Sequence, residues 1–257
     1  MKMLQDRVAL VTGGSAGVGL ACAHAFADEG ATVIIAARNL ENAERAVESV
    51  KASCGKAEAY QIDVSSVSEL RSMFDYIGKT YGKLNVLFNH AGVQGPIGLD
   101  ITEEQFDHTI DTNLKSQFFA TTFALPLLRA CAPQASIIYT SSTAGARAGK
   151  LSPLYGTCKA GTIMLARSVA LMLGPEHIRA NAIILGPAET AFSRGYAAMA
   201  GLDETKFKAM TAQIDKTIPL GHIAQPEDVA GTVLFLASDQ SAYITGTAIP
   251  VDGGLLA

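Results

Sequence analysis

Residues 8–19 read Val-Ala-Leu-Val-Thr-Gly-Gly-Ser-Ala-Gly-Val-Gly, and they decide the fold. The apolar, β-branched start predicts a buried strand over Val8–Val11, and a helical apolar pattern runs from Gly17 to Asp28. Glycines at such a turn let the backbone approach a diphosphate, and the helix N-terminus offers it unpaired N–H groups. We therefore predict a dinucleotide site, with a purely structural glycine turn as the alternative. Its predicted contacts here are Gly13, Ser15, Gly17, Val18 and Gly19.

Strand and helix patterns alternate along the rest of the chain. Further strands are predicted over Thr32–Ala36, Glu58–Ile62, Asn85–Phe88, Ser136–Thr140, Ala180–Ile184 and Thr247–Val251. Helical patterns between them cover Leu40–Ala52, Val67–Thr80, Phe106–Ala130, Leu154–Leu173 and Pro226–Ala237. Such alternation predicts right-handed βαβ units. Since no linker-like segment interrupts it, we expect residues 1–257 to form one α/β domain, a doubly wound (Rossmann-type), mostly parallel seven-stranded sheet with helices on both faces.

The bulk composition excludes several other classes of protein. Of the 257 residues, 49% are hydrophobic, and a net charge of −4 without basic runs argues against nucleic-acid binding. The four cysteines are widely spaced and the five histidines lack metal-ligand spacing, so we expect reduced thiols and no metal. No apolar run reaches membrane-spanning length, and a strand pattern from Arg7 leaves no room for a cleaved leader before it. We therefore expect a cytoplasmic protein without membrane or nucleic-acid partners.

The stretch Leu154–Leu173 is unusual because it is apolar around most of its circumference. A helix of this kind is normally buried on nearly all sides. The sequence leaves two interpretations open: a plain core helix, or a helix that packs on the sheet with one face and on a partner subunit with the other.

The end of the second strand bears on the choice of nucleotide. NAD-binding sites of this design usually place a carboxylate there to hold the ribose 2′-hydroxyl. This chain has Ala37 followed by Arg38, whose guanidinium can pair with a 2′-phosphate, so NADP(H) is favoured over NAD(H). A solvated Arg38 with no such role is the alternative.

Two later strand ends add candidate cofactor contacts. Asp63 and Val64 follow the third strand and are expected to face the adenine, although Asp63 could equally cap a helix. The run 89–92 ends the fourth strand beside the expected cofactor, and its candidate contacts are Asn89, Ala91 and Gly92.

Tyr155 and Lys159 are the candidate residues for proton transfer. On a helix, residues at i and i+4 share one face, and a fixed positive charge favours the ionised form of a nearby phenol. A tyrosine so placed can give a proton to a carbonyl oxygen or take one from an alcohol. Ser142, beyond the fifth strand at the sheet edge that binds ligands, could hydrogen-bond the same oxygen. Alone, a Tyr-x-x-x-Lys pair would more often be an ordinary helix-surface pair.

Taken together, these pieces resemble the short-chain dehydrogenase/reductase family in its single-domain form. The resemblance covers nearly the whole chain, and the order of the motifs is specific. The matching pieces are Thr12–Gly19, Asp63-Val64, Asn89–Gly92, Asn113, Ser142, Tyr155 with Lys159, 181–183, Gly186-Pro187, Thr190 and 244–254.

The resemblance implies further roles. Asn113 would support a proton relay through water to Lys159, and Lys159 would also hold the nicotinamide ribose, as would Tyr155 nearby. The segment 184–190 would seat the nicotinamide, with contacts from Gly186, Pro187, Ala188 and Thr190. The family commonly forms homotetramers, partly through two long central helices, which would account for the apolar helix.

The sequence departs from the family pattern at three positions. His90 stands where a second asparagine is usual, and we interpret it as a local hydrogen-bonding substitute. Leu185 stands where a proline usually precedes Gly186, so one backbone restraint near the nicotinamide is missing. Ala16 occupies a loop position where NADP-preferring relatives often carry a basic residue, which weakens the NADP prediction.

Residues 190–217 are expected to form a helical lid over the substrate. The segment is rich in aromatic and methionine side chains, among them Phe192, Tyr196, Met199, Phe207 and Met210. Such side chains suit an apolar or cyclic ketone or alcohol, and ordinary packing of a helical pair is the alternative. Val93, Gln94 and the segment 147–151 are further candidates for the pocket wall.

Three functions follow from the sequence. The leading hypothesis is an NAD(P)-dependent oxidoreductase that transfers a hydride between NADP(H), or alternatively NAD(H), and a carbonyl or secondary alcohol. A non-catalytic nucleotide-sensing module should have lost Ser142, Tyr155 or Lys159, and all three are present. A lyase or dehalogenase without nucleotide should have lost the glycine loop and carry arginine at position 159, which is a lysine here.

Overall fold

Seven parallel strands form the centre of the protein. The computed structural model describes residues 2–149 and 152–257, the side chains of residues 196 and 198 excepted. The strands are β1 (Val8–Thr12), β2 (Thr32–Ala37), β3 (Lys56–Gln61), β4 (Val86–Asn89), β5 (Ala135–Ser142), β6 (Ile178–Leu185) and β7 (Ala248–Val251). They lie in the order β3-β2-β1-β4-β5-β6-β7, and every pairing is parallel. The predicted doubly wound sheet is confirmed.

Helices cover both faces of the sheet. They are α1 (Gly17–Asp28), α2 (Leu40–Ala52), α3 (Val67–Tyr81), α4 (Glu103–Ile110), α5 (Ser116–Arg129), α6 (Thr143–Ala146), α7 (Pro153–Leu173), α8 (Ala191–Met199), α9 (Glu204–Asp215) and α10 (Pro226–Ala237). One buried apolar cluster packs α1, α2 and α10 against the sheet, and a second packs α3, α5 and α7 against its other face. Apolar residues on both sides of a strand explain why β1 and β2 are uniformly apolar.

The sheet opens between β4 and β5 at its carboxyl edge. Pairing of these two strands ends at Asn89 with Tyr139, whereas β5 stays paired with β6 as far as Ser142 with Leu185. The strand order also reverses between β1 and β4. The chain runs from β1 outward to β2 and β3 on one side, and then returns to β4 on the other side of β1 and continues to β7. A sheet whose strand order reverses in this way forms a ligand crevice at that point.

The helix predicted over Phe106–Ala130 is interrupted. A π-helical segment, Asp111–Lys115, separates α4 from α5, and the N–H of Ser116 donates to the carbonyl of Asp111, five residues back. The cause is local: the Asn113 side-chain amide donates to the Thr109 carbonyl, which an α-helix would pair with the Asn113 backbone. Single π-helical turns of this kind occur often at functional sites.

The long apolar helix α7 begins at a Ser152 cap followed by proline at the first helical position. Its inner face is buried, but Met164, Leu171 and Met172 are exposed in the single chain. Of the two interpretations of this helix, the plain core helix does not fit the single chain, because among the described residues no element covers this outer stripe.

Within the described ranges, no helix is both long enough and apolar enough to cross a bilayer. The same residues contain no cluster of histidine, cysteine, aspartate or glutamate suited to a metal ion. All four cysteines are unpaired.

Candidate active site

The glycine turn between β1 and α1 is closely packed backbone. Gly13 has a φ of +70° and its N–H donates to the Ala36 carbonyl at 2.8 Å. A Cβ on Gly19 would lie 2.3 Å from the Gly13 carbonyl oxygen, so no other residue fits there. Val18 is buried in the core beneath the turn, so only its backbone can face a ligand. The turn thus presents backbone N–H groups to the crevice.

A cavity of about 260 Å³ opens beside this turn at the carboxyl edge of the sheet. It is lined by Gly13, Ser15, Ala36, Ala37, Arg38, Asn39, Asn42, Ile62, Asp63, Val64, Ala91, Gly92, Val93 and Thr112. The structure therefore brings together seven of the predicted cofactor contacts from the ends of four strands: Gly13, Ser15, Arg38, Asp63, Val64, Ala91 and Gly92. Asn39, Asn42, Ile62 and Thr112 were missed, because their relation to the site depends on which strands are adjacent.

Arg38 and Asp63 lie at the outer end of this cavity. Asp63 does not cap α3; Ser66 does, by accepting from the Glu69 N–H. Burial opposes ionisation of Asp63, but hydrogen bonds from Ser65 and the charges of Arg38 and His108 outweigh it and lower the pKa of the carboxyl. The Asp63 carboxylate accepts from both the N–H and the hydroxyl of Ser65. Asp63 is therefore a negatively charged wall of the cavity at neutral pH.

The loop after β4 is fastened to β1. The Thr12 hydroxyl accepts from the His90 and Ala91 N–H groups at 3.0 and 3.1 Å. Asn89 is buried, and its side-chain nitrogen has no partner in the described part of the chain. A Cβ on Gly92 would lie 2.8 Å from the Asn113 side-chain oxygen and 3.6 Å from Lys159 Nζ. This loop therefore lies between the cavity and the candidate proton-transfer residues.

Lys159 is almost fully buried, with 2% of its surface exposed. Its ammonium donates to the Thr140 carbonyl at 2.9 Å and lies 5.5 Å from the centre of the Tyr155 ring. Burial lowers the pKa of Lys159 to about 8, although the neighbouring Cys158 works in the opposite direction. The predicted shared face of Tyr155 and Lys159 is thus present in α7.

Ser142 is predicted just beyond the fifth strand, but in the structure it is the last residue of β5. Its hydroxyl oxygen accepts from the Ala144 N–H at 3.2 Å and so caps the short helix α6. Because a hydroxyl both donates and accepts, its proton can still be given to a substrate oxygen. Close contact between α6 and α7 holds it there, since a Cβ on Gly145 would lie 2.4 Å from the Lys159 carbonyl carbon.

Asn113 is fully buried in the π-helical segment. Its amide donates to the Val93 and Thr109 carbonyls, both at 3.0 Å, and its oxygen accepts from the Val93 N–H at 3.1 Å. The side chain is therefore occupied by protein groups, so any relay through Asn113 would use its backbone.

The segment after β6 closes the other end of the site. The Gly186 N–H donates to the Val251 carbonyl at 2.9 Å, and a Cβ on Gly186 would lie 2.6 Å from the Asp252 Cα. The Thr190 methyl lies 3.1 Å from where a Gly17 Cβ would be. Pro187 and Ala188 are held by backbone contacts with Ala224. Thr190 therefore meets the glycine turn at Gly17, although none of residues 186–190 lines the cavity itself.

The predicted lid corresponds to α8 and α9. The Phe192 ring centre is 6.1 Å from that of Tyr155, and the Gln94 side-chain amide donates to the Phe192 carbonyl. Phe207 is buried, with the Arg194 guanidinium over its ring, so it packs within the lid. The side chain of Tyr196 and the residues 150 and 151, also considered for the pocket, lie outside the described residues.

Known proteins match this chain over nearly its whole length. A family model described as enoyl-(acyl carrier protein) reductase matches residues 13–256. A 3-oxoacyl-[acyl-carrier-protein] reductase of Thermotoga maritima is 33% identical over 254 residues, which cover 98% of this chain and 99% of that protein. A galactitol 2-dehydrogenase of Agrobacterium fabrum is 35% identical over 257 residues, 98% of each protein. The crystal structure of a short-chain type dehydrogenase/reductase from Mycobacterium marinum superposes with a TM-score of 0.88 at 30% identity, over 98% of this chain and 96% of that one.

Proposed function

Because this chain belongs to the short-chain dehydrogenase/reductase family, we propose that it transfers a hydride between NADP(H) and an apolar or cyclic carbonyl or secondary alcohol, with Tyr155 as the proton-transfer residue. The broader statement follows from the family itself: the protein is an NAD(P)-dependent oxidoreductase that acts on CH–OH and C=O groups. Our proposal goes further in three respects: NADP(H) as the preferred nucleotide, an apolar or cyclic substrate, and the residues that carry out the chemistry.

One observation carries the proposed mechanism. A nearly buried ammonium lies 5.5 Å from the Tyr155 ring, at the same sheet edge as a crevice lined by a glycine turn. In a structural ion pair, Lys159 would have a carboxylate partner, but no carboxylate lies within 4.0 Å of it among the described residues. A buried cation without a counter-ion is costly and is typical of a functional site.

The residues of the crevice fit a nicotinamide nucleotide. The Thr112 hydroxyl is buried at the cavity wall without a partner in the described part of the chain, as expected of a group that a ligand would satisfy. The glycine turn would hold the diphosphate, Asp63 and Val64 would face the adenine, and residues 186–190 would seat the nicotinamide. When bound, the nucleotide supplies or accepts the hydride.

The protein's own groups handle the proton. Ser142 donates to the substrate oxygen and so orients the carbon toward the crevice, while the Tyr155 phenol gives its proton to that oxygen or takes one from it. The Lys159 ammonium, fixed on the Thr140 carbonyl, stabilises the phenolate and has two further donors for the nicotinamide ribose and for water. Asn113 supports the water relay through its backbone carbonyl.

The preference for NADP(H) is supported by Arg38, which lines the cavity. Arg38 is exposed and forms no ion pair within 4.0 Å in the described ranges, so it is available to a 2′-phosphate. The N-terminus of α2 adds a positive dipole at the same place, where Asn39 caps the helix.

Binding of NADPH and NADH tests this preference. We expect NADPH to bind at least about tenfold more tightly, and Arg38→Ala to remove most of that difference through loss of the guanidinium–phosphate pair. Arg129→Ala is the control, because Arg129 lies at the end of α5 and pairs with Glu176. Tighter binding of NADH by the unaltered protein would contradict the proposal.

An apolar or cyclic substrate is supported by the lid. Phe192 and Met199 are partly exposed on α8, and Phe192 faces the Tyr155 ring. Burying such side chains on a ligand gives affinity roughly in proportion to apolar area. The lid thus favours substrates with hydrocarbon next to the reacting carbon.

A homotetramer is supported by an exposed apolar surface on α5 and α7, which we call the α5–α7 surface and define as Phe118, Met164, Leu171 and Met172. Leu171 and Met172 follow Met164 by seven and eight residues, which is about two helical turns, so the three side chains form one stripe. Exposed apolar side chains grouped on one helix face, as on α7, mark an interface between proteins.

The proposed chemistry is tested by Tyr155→Phe in a screen of ketones and secondary alcohols with both nucleotides. We expect the variant to lose at least about 100-fold in turnover, because it lacks the proton that catalysis needs, while its melting temperature and NADPH affinity are retained. Tyr243→Phe, at a fully exposed tyrosine, is the matched control and should behave as wild type. Near-full turnover by Tyr155→Phe would rule out the mechanism.

A further inference from the structure

His90 lies at the point where β4 and β5 part, next to the candidate proton-transfer residues. We propose that His90 is a positioning residue for Lys159: it holds the side chain of Thr140, whose carbonyl accepts the lysine ammonium. The inference rests on the proposed function in that it assigns Lys159 a catalytic task.

The parting of the strands makes this arrangement possible. The β4–β5 pairing ends at Asn89 with Tyr139, so the next pair in register would be His90 with Thr140. In place of a backbone pair, the His90 Nδ1 and the Thr140 hydroxyl are hydrogen-bonded at 3.0 Å. The Thr140 carbonyl receives Lys159 Nζ at 2.9 Å. One residue of β5 therefore links the histidine ring to the lysine ammonium.

The histidine itself is held from two sides. Its backbone N–H donates to the Thr12 hydroxyl at 3.0 Å, which ties it to β1. Its ring stacks on the Phe88 ring of β4, with centres 5.1 Å apart and an interplanar angle of 26°. Because both anchors belong to the central strands, the ring can transmit their rigidity to Thr140.

The charge state of His90 suits this task. Burial, and then the positive charge of Lys159, lower the pKa of His90 to about 4, so the ring is neutral at the pH at which enzymes of this kind work. A neutral ring can hold Thr140 without repelling the ammonium, whereas a cationic side chain at this position would compete with it.

The test uses three variants of the full chain. His90→Phe keeps a ring that can stack on Phe88 but removes the nitrogen, and Thr140→Val keeps the shape and the backbone carbonyl but removes the hydroxyl. His90→Asn is the rescue variant, because its amide occupies the place of Nδ1. Melting temperatures identify any variant that fails to fold. If His90→Phe fails to fold, Thr140→Val alone tests the link between His90 and Lys159.

The first readout needs no substrate. Competitive acetylation of lysines, followed by mass spectrometry across a pH series, gives the pH midpoint for the Lys159 amine. For the wild type we expect it near the pKa of about 8. His90→Phe and Thr140→Val should move the midpoint down, because an ammonium whose carbonyl acceptor is held less firmly is easier to deprotonate. His90→Asn should restore it.

The second readout is turnover on a substrate from the screen. His90→Phe and Thr140→Val should each lower kcat about tenfold, with a much smaller change in the KM for the nucleotide. The double variant should lose no more than either single variant, because both break the same link. Unchanged midpoints and kcat, or losses that add in the double variant, would overturn the inference.

The two proposals fail separately. If Tyr155→Phe kept its turnover, the proposed function would fail, while the acetylation midpoints would still decide whether His90 positions Lys159. If Tyr155→Phe lost its turnover and the His90 variants changed neither readout, only the inference about His90 would fail.

Discussion

Lys159 shows, at the scale of one residue, how a group needed for chemistry can weaken the fold. Its pKa is about 8 in the folded chain against an ordinary 10.5, so between these pH values the unfolded chain binds more protons. Stability should therefore rise as the pH increases through this window, and the charged lysine costs free energy below it. One pKa unit corresponds to about 1.4 kcal/mol, which places the cost on the order of 3 kcal/mol.

We predict that Lys159→Met has a higher free energy of unfolding than the wild type at pH 7, by on the order of 1–3 kcal/mol, and has lost its turnover. Methionine fills similar space without a charge, although the Thr140 carbonyl loses its donor. The advantage should shrink between pH 8 and pH 10.5 and vanish above this window, where the wild-type lysine is neutral in both states. Urea unfolding at several pH values measures this, and a variant less stable than the wild type at pH 7 would contradict the prediction.

Some residues of the site could be predicted from the sequence because their relation is local. Tyr155 and Lys159 share a helix face by spacing alone, and Gly13 and Gly19 belong to one turn. His90 and Thr140 could not be paired in this way, because their contact depends on where two strands stop pairing. Thr112 was missed for the same reason, since it reaches the cavity only through the π-helical segment.

At the scale of elements, the position of α7 depends on a contact without side chains. Gly145 in α6 lies so close to α7 that an added Cβ would be 2.4 Å from the Lys159 carbonyl carbon and 2.7 Å from the Ala160 nitrogen. The helix that carries Tyr155 and Lys159 is therefore placed by backbone contact with the segment that carries Ser142.

Gly145→Ala should displace α7 at Lys159. We expect turnover to fall by at least about tenfold, since small misplacements of catalytic groups are costly, and stability to fall by about 1–3 kcal/mol from overpacking. Gly231→Ala is the matched control: it lies in α10 with nothing within 4 Å of an added Cβ, so it should keep full turnover and gain stability of about 1 kcal/mol. Wild-type kinetics and melting temperature for Gly145→Ala would show that the contact has no such role.

The sequence predicted most strands and helices to within two residues, because apolar periodicity marks which faces are buried. It could not predict the break at Asp111–Lys115, because the hydrogen bonds around this break join the helix to a loop that is distant in sequence. The cause is a single side chain, Asn113, that takes the Thr109 carbonyl from the backbone. Such competition is visible only once the Val93 loop that also binds Asn113 is in place.

At the scale of the whole molecule, the α5–α7 surface should decide the assembly. Leu171 is 83% exposed in the single chain, and Met172 and Met164 continue its stripe. Burying these side chains against a second copy would stabilise an oligomer through the hydrophobic effect.

We predict that Leu171→Asp shifts the protein from tetramers toward smaller species, because the interface would have to bury a carboxylate. Light scattering after size-exclusion chromatography measures the mass in solution. Leu99→Asp is the matched control, because this leucine is equally exposed, at 83%, but lies in the loop before α4. A wild-type protein that is monomeric at micromolar concentration would contradict the assembly.

The fold as a whole was predictable because alternation of strands and helices permits few topologies. The nucleotide and the substrate were predicted only as classes. Their recognition rests on a few side chains whose contacts with a ligand no pattern in one sequence encodes.

Gly186 packs on Asp252, and Thr190 meets Gly17. The candidate site therefore brings together segments that are distant in sequence and are made at very different times on the ribosome. The glycine turn emerges first, yet the residues that would grip the nicotinamide have no support until β7 has followed them. A nascent chain would therefore complete the nicotinamide end of its site late, well after the residues that line the cavity, all within 13–112, have been made.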